Sequence, residues 1–263
     1  MVDKAIERSG TRTAPPLQVR RISTADLREA LARGMDDFKL MPSYLVMLSL
    51  IYPAVGLIAG WWSLGNDVTP LLFPLVAGFA LVGPLAAVGL YELSRRREAG
   101  LDTHWTHVFD VLRSPAIGTV AALGGMLLLI FLGWLTAAMT LHESLFGTPE
   151  PASILSFLTE VTTTSRGWML ILLGNAIGFV FAVVTLAVSA ISFPLALDRN
   201  VDFATAVATS VRVLRDNPRT MLLWGLIVAV TLAIGAIPFL IGLAVVMPVL
   251  GHATWHLYRK AIA

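Results

Sequence analysis

The chain has no cysteine, and only 14% of its 263 residues are charged. Without a thiol there is no disulfide, no thiolate metal site and no cysteine nucleophile. The scarcity of charge is as restrictive: a soluble domain carries about 25% charged and about 45–50% apolar residues, whereas 56% are hydrophobic here. Asp, Glu, Lys and Arg are missing altogether from 40–66, 68–91, 114–142, 167–197 and 220–258. Each stretch exceeds the roughly 20 residues that an apolar helix needs to cross a bilayer. These absences exclude an ordinary water-soluble enzyme and predict an all-α, polytopic membrane protein. The phosphate-binding loop, His-Glu-x-x-His, Gly-x-Ser-x-Gly and the dinucleotide fingerprint are also absent. Nor does any span carry at its middle the ionisable residues that proton relays and many ion-coupled transporters use.

What is present can be arranged as six spans. The first four uncharged stretches hold one each, Ser43–Leu64, Leu71–Tyr91, Ala116–Leu141 and Trp168–Leu197. As one helix, the fifth would reach about 58 Å at about 1.5 Å per residue, far beyond a hydrocarbon core of about 30 Å. Dividing it at Gly235-Ala236 yields Arg219–Ile234 and Ile237–Tyr258, with Pro238 in the first turn of the last helix, where a missing N–H costs least. With both termini cytoplasmic, 18 of the 19 Lys and Arg fall inside and only Arg166 outside. This is the distribution that the positive-inside rule describes. A five-span arrangement would strand Arg259 and Lys260 outside. Residues 1–19, with Gly10 and Pro15-Pro16, read as a disordered cytoplasmic tail ahead of a single membrane domain, 20–263. The first 39 residues hold eight Lys or Arg and no apolar core, so no cleaved signal peptide is expected. The net charge of only +2 argues against a nucleic-acid partner.

A threefold internal repeat emerges when the approaches to spans one, three and five are aligned on Pro42, Pro115 and Pro218. Each approach has helical amphipathicity: Leu27, Leu31, Gly34, Phe38 and Met41 share a face, as do Trp105, Val108, Phe109 and Leu112, and Phe203, Val207, Val211 and Leu214. Ser23-x-x-Asp26 is a helix start for the first. The expected architecture is therefore three helical hairpins, each preceded by an amphipathic helix on the cytoplasmic side. The ends of spans two and six also align, Pro84 with Pro248, Tyr91 with Trp255 and Arg95-Arg96 with Arg259-Lys260. Gly56-x-x-x-Gly60, Gly174-x-x-x-Gly178 and the Gly225, Ala229, Ala233 ladder put small residues on single faces, where helices can approach closely within one bundle.

The polar residues carry competing readings. His252 and His256, four apart on one helix face, have the spacing of a shared metal or of haem ligation, with Glu92 or His107 as further ligands; the simpler reading is a pair of interfacial hydrogen-bonding histidines. His104 and His107 have ligand spacing too, but fit an amphipathic helix at the membrane surface. Asn175 is expected to hydrogen-bond between helices, or with Pro194 and Pro248 to border a substrate path. Arg95, Arg96, Arg97, Trp255, Arg259 and Lys260 are expected at the lipid interface, where each cation attracts anionic lipid by about 1 kcal/mol.

The SFPLALDR end of span four, the RVLRDNPRTMLLWG run into span five and the terminal LGHATWHLYRK resemble a bacterial family of predicted integral membrane proteins, domain of unknown function 2189. The resemblance extends over roughly 20–260 and implies a bacterial inner-membrane protein, without implying an activity. Some family members are labelled cytochrome c oxidase subunit I, but that chemistry needs about six histidine ligands held within spans. This chain has five histidines in all, of which only His252 and His256 lie in or at a span. The leading expectation is a non-enzymatic scaffold, assembly or lipid-interacting protein with a possible membrane-protein partner and no resident cofactor. The alternatives are a small transporter or channel for a neutral or apolar solute and a haem or metal protein built on the span-six histidines.

Overall fold

The computed structural model describes residues 17–41, 72–147, 154–237 and 242–263, and apart from turns and one isolated bridge these are helical. We label the helices α1 (Thr24–Leu40), α2 (Leu72–Phe79), α3 (Gly83–Ala86), α4 (Val88–Glu98), α5 (Ile117–Phe146), α6 (Ile154–Thr163), α7 (Ser165–Ser189), α8 (Ser192–Arg199), α9 (Phe203–Asp216), α10 (Pro218–Ala236) and α11 (Leu243–Ala261). Short 3-10 segments cover Ala80–Val82 and Trp105–Arg113. Four stretches are long and apolar enough to cross a membrane: Phe73–Glu98, Ile117–Phe146, Ser165–Arg199 and Pro218–Ala236. They match predicted spans two to five. The predicted first span, with Pro53, Gly56 and Gly60, lies outside the described residues, as does Pro238. The predicted break in the last uncharged stretch is observed, since α10 ends at Ala236 and α11 starts at Leu243. The outer loop expected between spans three and four contains a further helix, α6.

Prolines set where the long helices are interrupted. Pro84 lies in the first turn of α3, after a 3-10 turn, so the span that begins at Phe73 is built in pieces. Pro194 lies in the first turn of α8, and α7 stops at Ser189. The Ile191 N–H exposed by that break donates to Ser210 Oγ of α9 at 3.2 Å. Asn200 ends α8 in the left-handed region, φ 49°, a conformation that asparagine tolerates better than most residues. Pro248 is carried inside α11.

The core sits at one end of the long helices. Its buried residues come from the ends of the apolar helices, Tyr91, Ile191, Phe193, Leu195, Trp255, Leu257 and Tyr258 among them, and from α1 and α9. Away from this end the helices bury little: only 6% of the most apolar window in Ser165–Arg199 is buried. That is what a membrane solvent predicts, because lipid tails are as apolar as leucine and give no hydrophobic reason to cover a span.

The α1 face read off the sequence is largely kept, with Leu27, Gly34 and Met41 buried and Leu31 and Phe38 half-buried, whereas the other two amphipathic segments turn different residues inward. In α9 the buried residues are Ala206, Thr209, Ser210 and Val213, while Phe203 and Val211 are exposed. Small residues, together with Val213, make the closest approach to the protein, Val207 and Leu214 pack at its margin, and Phe203 and Val211 face outward. The second segment is a 3-10 helix, not an α-helix. Its repeat of three splits the predicted stripe: Val108 and Val111 are buried, whereas Phe109 and Leu112 are 57% and 67% exposed. In α1 the buried row is Leu27, Ala30, Gly34, Asp37 and Met41, so a charged residue lies in the middle of the apolar face. The chain ends lie side by side, with Arg20 N–H donating to the Ala261 carbonyl at 2.8 Å and Ala263 N–H to that of Gln18 at 3.1 Å.

Candidate functional site

Asp37 is the deepest charge among the described residues, 1% exposed, at the meeting of α1, α4 and α11. Helix α1 reaches it because Ser23 and Asp26 form a reciprocal capping box at its start. Contact with α11 then requires Gly34: a Cβ there would come within 2.6 Å of the Ala253 nitrogen and 2.7 Å of the Val249 carbonyl oxygen. The side chain one turn further along is delivered into the protein.

Every oxygen of that carboxylate is engaged. Arg97 of α4 donates to Oδ1, while Ser94 Oγ and His256 Nε2, the latter at 3.0 Å, donate to Oδ2. His252 Nδ1 lies 2.8 Å from Ser94 Oγ and 3.8 Å from Oδ2. An ionised carboxylate only accepts, so His256 presents Nε2–H; Ser94 gives its proton to Asp37, so its oxygen is left to accept from His252 Nδ1–H. Burial by itself would raise the Asp37 carboxyl. The hydrogen bonds from His256 and Ser94, with the charges of His252 and His256, outweigh burial and hold it at about 2, below its ordinary 3.8.

A second set of pairs seals the rim. Glu92, 3% exposed, receives both Arg95 Nε at 2.8 Å and an Arg95 terminal nitrogen at 2.7 Å. Glu98 accepts from Trp255 Nε1 and Arg259 Nε, both at 3.0 Å, and Asp198 from Tyr258 at 2.5 Å. Lys260 reaches back to Glu29 of α1 at 2.7 Å. Arg96 bonds the Asp102 carbonyl at 2.6 Å and pairs with Asp110 at 3.3 Å.

These contacts correct several expectations. The basic residues at the ends of α4 and α11 are tied to carboxylates of the same chain, and Trp255 is 1% exposed, so it cannot anchor in lipid headgroups. His252 and His256 do come together, but around Asp37 and not as an open ligand pair. Glu92 is occupied by Arg95, and His107 is bonded to Asp110 at 2.7 Å and Asp102 at 2.9 Å, which raise its pKa, so neither joins them. Among the described residues no group of three His, Asp or Glu is placed to hold a metal ion. His104 bonds Thr106 at 2.9 Å, away from the cluster. Among the described residues Asn175 does not bond between helices: it is exposed on α7 and donates to the Ile171 carbonyl of its own helix at 2.7 Å. Pro194 and Pro248 are buried in the packed end, so the three proposed path residues do not line one passage. The glycine faces pack within the chain, Gly178 against Trp134 and Gly225 against Leu186. Asp37 was missed from sequence, although its place three beyond Gly34 and four before Met41, in step with Leu27 and Ala30, marks it as facing inward.

Residues 72–198 match the family described as predicted integral membrane protein (DUF2189). The matched segment ends within the SFPLALDR motif and is narrower than the 20–260 resemblance, leaving the 212–225 and 250–260 motifs beyond it. No curated protein and no solved structure matches the chain significantly. Through that segment, which holds nearly all of three of the four membrane-length helices, the chain is similar to the DUF2189 family of predicted integral membrane proteins.

Proposed function

We propose that this is a non-enzymatic protein of the bacterial inner membrane that acts by interaction, with a charge-sealed helical layer on the cytoplasmic side resting on anionic lipid. The observation that carries this reading is the division of labour among its cations. Arg95, Arg96, Arg97, Arg259 and Lys260 are paired within the layer, whereas Lys39, Arg113, Arg212, Arg215 and Arg219 are exposed and have no carboxylate partner among the described residues. The second group flanks outward apolar side chains: Leu40 beside Lys39, Leu112 beside Arg113, Val211 beside Arg212. Apolar side chains entering the acyl boundary with cations at headgroup level are how amphipathic helices bind an anionic leaflet. The sealed network supports the non-enzymatic part, since its buried polar groups are engaged with one another.

The six-span arrangement belongs to this reading. The four membrane-length helices, the apolar run 43–64 and α11 together make six, and an even number is what adjacent chain ends require. The three amphipathic segments, each followed by a proline and a long helix, fit a parallel threefold repeat. Purification from native membranes in mild detergent tests the proposal. Phosphatidylglycerol or cardiolipin is expected to be retained, and retention is expected to fall severalfold in the Arg212→Gln, Arg215→Gln, Arg219→Gln variant. Equal lipid content in the two preparations would count against it.

A further inference from the structure

We infer that a second copy of this chain docks along the outer face of α7, with Asn175 of each copy hydrogen-bonded to its counterpart. Asn175 lies eleven residues into a stretch long and apolar enough to cross a membrane, and it is exposed. One of its N–H groups is used by the Ile171 carbonyl; its oxygen and its second N–H have no partner among the described residues. Lipid tails offer neither donor nor acceptor, so a carboxamide on that surface is costly unless another protein surface satisfies it. A carboxamide is self-complementary, and two of them across a twofold axis exchange N–H···O bonds reciprocally.

The surrounding side chains fit the same occupant. Trp168, Leu172, Asn175, Phe179 and Ala182 are all exposed, and they recur at alternating intervals of four and three residues. That is the seam of a left-handed helix pair, and one polar residue within such a seam sets its register. Trp168, Leu172 and Phe179 are 55%, 67% and 65% exposed, a large apolar surface for one helix. Two glycines of α7 are turned elsewhere, Gly178 toward Trp134 and Gly174 toward Leu141 of α5, so these close contacts, among the described residues, lie off the seam. Two copies inserted in the same direction run their α7 helices parallel, which places each seam residue opposite itself.

Because the chain has no cysteine, any disulfide formed by a single introduced cysteine must join two molecules. Leu172→Cys and Phe179→Cys, oxidised in native membranes, are expected to yield a product of twice the chain's mass. Leu129→Cys, on the exposed side of α5, is the control and should yield none. Adding Asn175→Leu is expected to lower the cross-linked fraction about five-fold, the effect of losing the reciprocal interhelical carboxamide pair. Asn175 is exposed and hydrogen-bonds to no other helix among the described residues, so this change is expected to leave the monomer's packing in place, and an unchanged melting curve checks that. Absence of dimer at both seam positions, equal cross-linking at Leu129, an adduct of another mass, or no effect of Asn175→Leu would each overturn the inference. None of these outcomes bears on the lipid-facing cations, which are tested separately.

Discussion

Asp37 shows how a single carboxylate organises the packed end of this protein. It accepts from donors on two helices, and its removal would leave the Arg97 guanidinium, the Ser94 hydroxyl and the His256 imidazole without their common acceptor. Breaking a buried pair costs about 3–5 kcal/mol, but Arg97 keeps 37% of its side chain exposed and can turn to water. Asp37→Asn is therefore expected to destabilise the detergent-solubilised protein by about 2 kcal/mol, read from thermal unfolding by tryptophan fluorescence. The pH dependence has a definite sign. A carboxyl held at about 2, below its ordinary 3.8, stabilises the fold fully above the ordinary value and loses that contribution as pH falls through about 2. Asp37→Asn should flatten the acid limb of the unfolding curve between those values and leave the neutral region parallel to the parent.

At the level of elements, periodicity identified helices well and their orientation less well. The α1 capping box, the end of α10 at Ala236 and the amphipathic character of 203–214 were all legible, because each depends on neighbouring residues. Which stripe of α9 turns inward was not. In water the most apolar side chains would be buried; beside a membrane they are equally at home outside, and small residues take the contact. Ala206 is fully buried, so Ala206→Leu is expected to cost about 1–3 kcal/mol through overpacking, while Phe203→Ala should change thermal stability little. The opposite order would follow from the face read on hydrophobicity alone. In the 105–113 segment, an α-helical period was assumed where the backbone takes a tighter 3-10 turn, which separates Phe109 and Leu112 from the buried Val108 and Val111.

For the whole molecule, paired chain ends and the asymmetric placement of cations support the proposed cytoplasmic placement of both termini. Val19 and Ile262 form an isolated antiparallel bridge, so both ends of the described chain lie on the same side. A C-terminal fluorescent reporter is expected to be bright, and a C-terminal alkaline phosphatase fusion inactive, when expressed in a bacterium. Active phosphatase would reject the cytoplasmic assignment.

Composition and the spacing of charges by themselves determined that the chain is helical and lives in a membrane, and where four of its long apolar stretches lie. Those properties are local: an uncharged run of sufficient length, a proline, a cap. Tertiary structure alone decided what the polar residues do. The histidine pair, the terminal arginines and Trp255 looked like ligands or lipid anchors because sequence displays spacing and charge but not partners. Folding brings Asp37, Ser94, Arg97 and two histidines together from segments up to 219 positions apart, and a buried charge is stable only when such partners arrive. The same step left Asn175 facing outward, because lipid imposes no inward direction on a span; packing against α5, α6, α9 and α10 settles which face of α7 remains exposed.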